Sequence, residues 1–301
     1  MASRISRRRT VQMMMAALAV LAAGCGDPAG PQRGRQDAGS VQLRVLTYNI
    51  LHGAGPDKKL DLGRTAEVIR RLSPDLVALQ EVDNGTKRSG GVDEAAELGG
   101  LTGMHTAFGK AMDFDGGQYG DAVLSRFPIE RAVAHALPHS KDREPRQALE
   151  VHVSVPVNEP PRGEPGGGRR AGFWSVRFIS THWDHLNDHV DRVLQAKAVA
   201  ELAATEPAVP VILAGDLNAE PGSVPLAGLG TGWLDTTPAA PEPSFPSDRP
   251  NLRIDFIFAR PARLWRVVSA EVVNESRASD HRPVLAVLEL LPAPRGRPQS
   301  E

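Results

Sequence analysis

From Val41 onward, short runs of apolar and β-branched residues alternate with stretches whose apolar positions recur every three or four residues. The first kind reads as strand and the second as helix, because side chains alternate across a strand but return to one helix face after a full turn. Strands are expected at VQLRVLTYNI, DLVALQEV, DAVLS, QALEVHVSV, FWSVRFISTH, VPVILAGD, RIDFIFA, LWRVVSAEVV and PVLAVLELL. Helices are expected over Leu60–Leu72, Val92–Leu101 and Asn187–Ala204. This alternation predicts a β-rich α/β domain over residues 41–291. The segment Pro156–Gly172 (PVNEPPRGEPGGGRRAG) is rich in Pro and Gly between two strand-like runs, and reads as a long hairpin loop or insertion rather than a domain boundary. No internal repeat is visible.

The amino terminus has a different pattern. Residues 1–9 are basic, Val11 to Ala23 is an uncharged and mostly apolar run, and Gly24-Cys25 precedes polar sequence with Pro and Gly. This is the layout of a signal peptide, and the run is short of the roughly 20 apolar residues that a spanning helix needs. Leu21-Ala-Ala-Gly-Cys25 resembles the lipobox of bacterial lipoproteins, although Ala22 stands where that family usually has Leu. The resemblance implies a signal peptide over 1–24 and a lipid on Cys25. It further implies a flexible tether over 25–40 and an exported protein anchored at the bacterial cell envelope, in the periplasm or at the cell surface. Ser6-Arg7-Arg8-Arg9 also resembles a twin-arginine export signal. The polar tail from Pro292 to Glu301 is expected to be disordered. Cys25 is the only cysteine, so the exported domain is expected to be stable without disulfides.

Composition narrows the function. With 41% hydrophobic and 24% charged residues, the 301-residue chain can bury a full core. Its 35 Lys and Arg nearly balance 36 Asp and Glu, and four of the arginines lie in the first 24 residues, so the remainder carries about −5. That excludes a polybasic nucleic-acid binder, and an aromatic content of 5% offers no obvious stacking platform. A nucleic acid held weakly, as a substrate only, stays open. A monomer is expected.

Polar residues close one apolar strand after another. Asn49 ends VLTYN, Glu81 ends LVALQE, His182 ends RFISTH with Asp184 two residues on, and Asp216 and Asn218 end VILAGDLN. Asp255 lies within RIDFIF, and Asp280-His281 precedes the last strand. Each Asn or Asp alone is an ordinary turn former, but Glu81 is not, and turn chemistry does not set carboxylates and histidines beside so many apolar runs. Hard oxygen donors without cysteine point to Mg²⁺, Mn²⁺ or Ca²⁺. His182, Asp184, His185 and His189 keep zinc as an alternative, without a His-Glu-x-x-His motif. Serine or cysteine nucleophilic catalysis has no support, because no G-x-S-x-G elbow exists and the one cysteine lies at the export segment.

Taken in order, VLTYNILHG, LVALQEVD, YGDAVLSRFPI, STHWDH, ILAGDLNAEP, RIDFIF and SDHRPVLAVLEL resemble the endonuclease/exonuclease/phosphatase superfamily, with its DNase I-like fold. The likeness covers residues 41–291 and is closest to bacterial metal-dependent hydrolases that share His-x-Asp-His and R-x-x-Q-A, here His182 to His185 and Arg192 to Ala196. It implies a four-layer α/β sandwich, two mostly antiparallel sheets packed face to face with helices outside. It also implies a metal-dependent hydrolase of phosphoric esters. By this resemblance Asn49, Glu81 and Asp280 hold the divalent metal, Asp216 activates water, and Asn218 orients water and phosphate. His281 binds the phosphate with Asp255 fixing its ring, and His182 contacts the phosphate from the other side. Arg146, in EPRQALEV, and Asp184 are expected to line the pocket. Asp121, in YGDAVLS, stands where relatives usually carry Asn or an apolar residue, and its carboxylate would tune substrate choice. The superfamily includes nucleases, sphingomyelinases and inositol-phosphate phosphatases, so the substrate stays open. A second reading is a surface-anchored binding module that kept the fold and lost catalysis.

Overall fold

Two parallel strand pairs organise the molecule. Val41–Asn49 (β1) and Leu76–Asn84 (β2) run parallel, and the crossover that such neighbours require carries Leu62–Leu72 (α1). Gly172–His182 (β7) and Val211–Asp216 (β8) repeat the arrangement around Val190–Ala204 (α3). Antiparallel strands extend each pair. His105–Phe114 (β3), Gly117–Ser125 (β4), Trp265–Val272 (β11) and Val284–Leu290 (β12) complete a sheet of order β11-β12-β1-β2-β4-β3. Ile129–Ala136 (β5), Gln147–Val157 (β6), Leu234–Asp235 (β9) and Asp255–Arg260 (β10) complete a second, β5-β6-β7-β8-β10-β9. The remaining helices are Glu94–Thr102 (α2) and Val224–Ala227 (α4). This computed structural model describes residues 40–157 and 172–291. The expected signal peptide, Cys25, nearly all of the tether and the tail lie outside the described residues, as does the interior of the Pro/Gly-rich segment. Its flanks pair as a hairpin, from Val157↔Gly172 to Ala148↔Thr181.

The apolar runs of the central strands are continuous because both of their faces are buried. Along β1, Leu43 and Val45 enter the layer between the sheets, while Leu46 and Tyr48 face α1 and α2. Along β8, Ile212 and Ala214 enter that same central layer, and Val211 and Leu213 face α3. The central layer also receives Val151, Val153, Phe178, Ile257 and Leu288. Ala66, Ile69 and Leu98 cover one sheet from outside, and Ala196, Val199 and Ala203 cover the other. The result is helices, sheet, sheet, helices, the expected four-layer sandwich. The sequence reading passed over β3 and β5, which form sheet edges and carry mixed, largely exposed residues with no clean alternation.

Local signals set the helix ends. Asp61 caps α1 by accepting a bond from the Arg64 amide, and Ser73 ends the helix in the left-handed region before Pro74. Asp93 caps α2 through the Ala96 amide. The first residue of α2, Glu94, is fully buried and accepts from the Asp83 amide at 2.8 Å. Burial, reinforced by the charge of Asp83, pushes its carboxyl from 4.5 up to about 8. A carboxyl raised by folding supports the native state below its unfolded value and loses that support as pH rises toward the folded one. Stability is therefore expected to fall between pH 4.5 and 8 through this group. Glu94→Gln should remove that component of a melting-temperature profile, and an unchanged profile would exclude it.

All the polar strand ends of the sequence reading fall at one end of the sandwich. Asn49 and Asp216 are the carboxyl-terminal residues of β1 and β8. Asp255 opens antiparallel β10 directly opposite Asp216, and Asp280-His281 leads into β12 beside the end of β1. Gly215 fits this place for steric reasons: an added Cβ would lie 2.0 Å from the Thr181 carbonyl oxygen of β7. Gly215→Ala is expected to cost about 3 kcal/mol in chemical denaturation, the upper end for overpacking a core; a loss below about 0.5 kcal/mol would contradict the close approach.

Candidate active site

Asn49 is the hub. Its side-chain Nδ2 donates to Glu81 Oε1 at 3.0 Å and across the sheets to Asp216 Oδ2 at 3.2 Å. Its Oδ1 accepts from the Leu51 amide at 3.1 Å, and its carbonyl accepts from Ser279 Oγ at 2.7 Å. Glu81 reaches this point because β2 breaks register with β4 between Leu79 and Val82, and Glu81 takes φ 58° there. Such a bulge re-aims a side chain, and a left-handed glutamate costs of order 1 kcal/mol or more, a strain the surrounding sheet must hold. Asn218, at φ 46°, donates its amide to Asp216 Oδ1 at 3.0 Å and its side chain to the Trp183 carbonyl at 3.1 Å. Trp183, fully buried, donates its own amide to the Asp216 carbonyl at 3.0 Å, so the ends of β7 and β8 are knitted together.

Two histidines approach Asp216 in opposite states. His281 sits 3.1 Å from Asp255 Oδ2 through Nδ1 and 3.7 Å from Asp216 Oδ2 through Nε2. Burial disfavours its charge, but Asp255 and then Asp216 overcome that and push it up to about 10, so it carries a proton at neutral pH. Ser244 Oγ also donates to Asp255 Oδ2, at 2.5 Å, and Phe245 packs on the His281 ring with centroids 4.7 Å apart. His182 Nε2 lies 3.5 Å from Asp216 Oδ2. Burial and then the Arg146 guanidinium hold His182 well below its ordinary value, so it is neutral. Burial pushes the Asp216 carboxyl up, with His281 pulling the other way. Burial likewise raises Glu81, offset in part by the Asn49 bond.

These groups line one pocket of about 380 Å³. Glu81, Asp216, Asn218, Asp280, His281, His182 and Arg146 all reach it, whereas Asn49 and Asp255 support it from behind. Asp184 and Asp121 do not line it, which corrects the expectation of substrate contact for both. Asp184 is buried and turned to the Leu186 amide and Arg143, shaping the loop before α3. Asp121 is 3% exposed and accepts from Gln147 Nε2 at 2.9 Å beneath the pocket, where burial first and nearby Asp216 and Glu81 next raise it well above the usual carboxylate range. Arg146 lines the pocket with both terminal nitrogens engaged by histidines rather than presented as a free fork.

The sequence reading missed Arg88, Phe114, Tyr119, Glu144, His185 and Phe245 in the lining. The Arg88 guanidinium is paired bidentately with Asp83 and lies 4.6 Å over Phe114 and 5.6 Å over Tyr119. A low average aromatic content therefore hid a local aromatic wall. His185 had a signal, since it belongs to STHWDH, and so did Tyr119, which opens YGDAVLSRFPI on the inner strand β4; the others sit in edge or loop segments without a pattern.

The donor set suits a divalent cation. Glu81, Asp216 and Asp280 bring three carboxylates to one pocket, and a hard cation among oxygen donors would offset their mutual repulsion. Among the described residues, Asp216, Asp255 and His281 have ligand atoms all within 4.8 Å of one another. Within that group Asp255 and His281 are also hydrogen-bonded to each other. The zinc alternative does not assemble. His182 and His185 turn Nδ1 to Arg146, His189 turns Nδ1 to Arg192, and Asp184 faces away.

The chain is 25% identical over 270 residues to a protein of Escherichia coli strain K12 named YbhP, covering 82% of this chain and 96% of that one. An endonuclease/exonuclease/phosphatase structure from Beutenbergia cavernae matches with a TM-score of 0.66 and 28% identity, over 85% of this chain and 73% of that one. A mannosyl-6-phosphatase from Bacteroides thetaiotaomicron matches in fold with a TM-score of 0.62 and 20% identity, over 82% of this chain and 99% of that one. The model of the Endonuclease/Exonuclease/phosphatase family matches residues 46–281, which span every strand end described above, and the chain belongs to that family.

Proposed function

We propose that this chain is a divalent-metal-dependent phosphoesterase that hydrolyses a phosphodiester or phosphomonoester by in-line attack of water, at the bacterial cell envelope. The observation that carries the reading is the Asn49 side chain joining Glu81 of one sheet to Asp216 of the other, beside a His281 ring held by Asp255. Asn49, Glu81 and Asp280 would hold the cation, Mg²⁺ by preference and otherwise Mn²⁺ or Ca²⁺. When bound it supplies charge neutralisation for a phosphoryl oxygen. Asp216 takes the proton of the attacking water, its Oδ1 fixed by the Asn218 amide. His281 presents Nε2–H to the phosphate, and Asp255 holds the ring from behind through Nδ1. His182 faces the same space from β7. Positioning and fixed dipoles suffice for this reaction, because phosphoryl transfer asks for little covalent help.

A concave pocket of about 380 Å³ with a wall of Phe114, Tyr119 and Phe245 suits the phosphate of a small or terminal group better than a long duplex. Supercoiled-plasmid nicking, release of phosphate from sugar phosphates and cleavage of phospholipid headgroups, each with Mg²⁺ and with chelator, separate the substrate classes. Chelator-sensitive turnover on any of them supports the reading. Failure on all, together with no calorimetric Mg²⁺ binding, would favour a binding module that has lost catalysis. The envelope location rests on the Leu21–Cys25 segment. Mass spectrometry of the mature amino terminus is expected to find a lipid-modified Cys25, and an unmodified cysteine would remove the anchor.

A further inference from the structure

Arg146 occupies an unusual position for an arginine beside a phosphate pocket. It is 4% exposed, just ahead of β6, and each terminal nitrogen is committed. Nη1 donates to His182 Nδ1 at 2.9 Å and Nη2 donates to His185 Nδ1 at 3.2 Å, while Glu144 Oε1 braces Nη1 at 3.1 Å. A guanidinium only donates, so both imidazole Nδ1 atoms must accept, and each ring then carries its proton on Nε2. One flat fork thus sets two rings at once, which a lysine ammonium cannot do with the same rigidity. For His182 the consequence is visible, since Nε2 lies 3.5 Å from Asp216 Oδ2 at the heart of the site. His185 is exposed and lines the pocket beside His182, so its remaining ring nitrogen is the one available to a bound molecule.

We infer that Arg146 is a positioning residue that locks His182 and His185 with Nε2–H available to the pocket, and that His185 is thereby a second N–H donor to an oxygen of the phosphate group. Only the last clause rests on the phosphoesterase reading. The arginine's charge stays behind the two rings, so the phosphate meets two Nε2–H donors on this side and the His281 ring on the other. Mutation of Arg146 would then act through the histidines and not by loss of a direct phosphate contact.

The test uses the full chain labelled with ¹⁵N-histidine. Long-range proton–nitrogen spectra at pH 7.5, assigned with His182→Gln and His185→Gln, should show an unprotonated Nδ1 and a protonated Nε2 for both rings. Arg146→Met should release both into tautomer mixtures, and Arg146→Lys should keep at most one locked. Should Arg146→Met not fold, the wild-type spectrum and Arg146→Lys still decide. Calorimetric binding of inorganic phosphate in Mg²⁺ should weaken about tenfold in His185→Ala, the size of one lost charge-assisted bond. An Nδ1–H tautomer in the wild type, or unchanged spectra in both Arg146 variants, would overturn the positioning role; phosphate affinity within twofold of wild type in His185→Ala would overturn the donor role. Absence of turnover on every phosphate ester sinks the proposed function but leaves the tautomer result standing, so the two failures are distinguishable.

Discussion

Asp216→Asn is expected to lower kcat on any productive phosphate ester by about 10²–10⁴-fold, the usual cost of removing a general base. The substitution keeps the shape of the side chain and an oxygen for the Asn218 amide, so the end of β8 should stay in place. It removes the proton acceptor that stands between His182 and His281. The new amide nitrogen takes the place of Oδ2 and meets the Asn49 donor, so the melting temperature in chelator is expected to fall modestly, and the activity is compared under conditions where the variant is folded. A loss below about tenfold would remove Asp216 from the role of base.

The largest effect on stability is expected far from the site, at Arg177. Its side chain is 1% exposed, pairs with buried Glu150, and donates to the carbonyls of Leu202 and Ala203 at the end of α3. Arg177→Met leaves those carbonyls and the Glu150 carboxylate with fewer partners in a dry layer. The expected cost is about 3–5 kcal/mol, as for other broken buried pairs. Arg177→Met combined with Glu150→Leu should recover most of the loss, since two apolar groups need no partners. Denaturant unfolding of the single and double variants decides this, and a single-variant loss under 1 kcal/mol would contradict it.

The legible parts of the chain were those where one physical demand dominated. Continuous apolar runs such as VILAGD can be buried on both faces only as central strands, and they were readable. The edge strands β3 and β5 answer to solvent on one side and carry no such demand. Strand-end residues were legible as a set because Glu81 breaks turn chemistry, and the structure gathers Asn49, Glu81, Asp216, Asn218, Asp255, Asp280, His281 and His182 at one end of the sandwich. What no spacing displays is partnership across the sheets. Asp184 and Asp121 have the right type and neighbourhood for substrate contact, yet local bonds to the Leu186 amide and to Gln147 turn them away. Arg146 looked like a phosphate fork, and only three-dimensional contact shows that its two nitrogens are spent on histidines.

The most direct measurement is turnover of a phosphodiester and a phosphomonoester chromogenic substrate by the purified chain in Mg²⁺, after chelation, and after Mg²⁺ is restored, with Asp216→Asn run in parallel. The account predicts turnover on at least one substrate that is abolished by chelator, recovered by the cation and absent from the variant. Turnover that survives both chelation and the loss of Asp216 would contradict it.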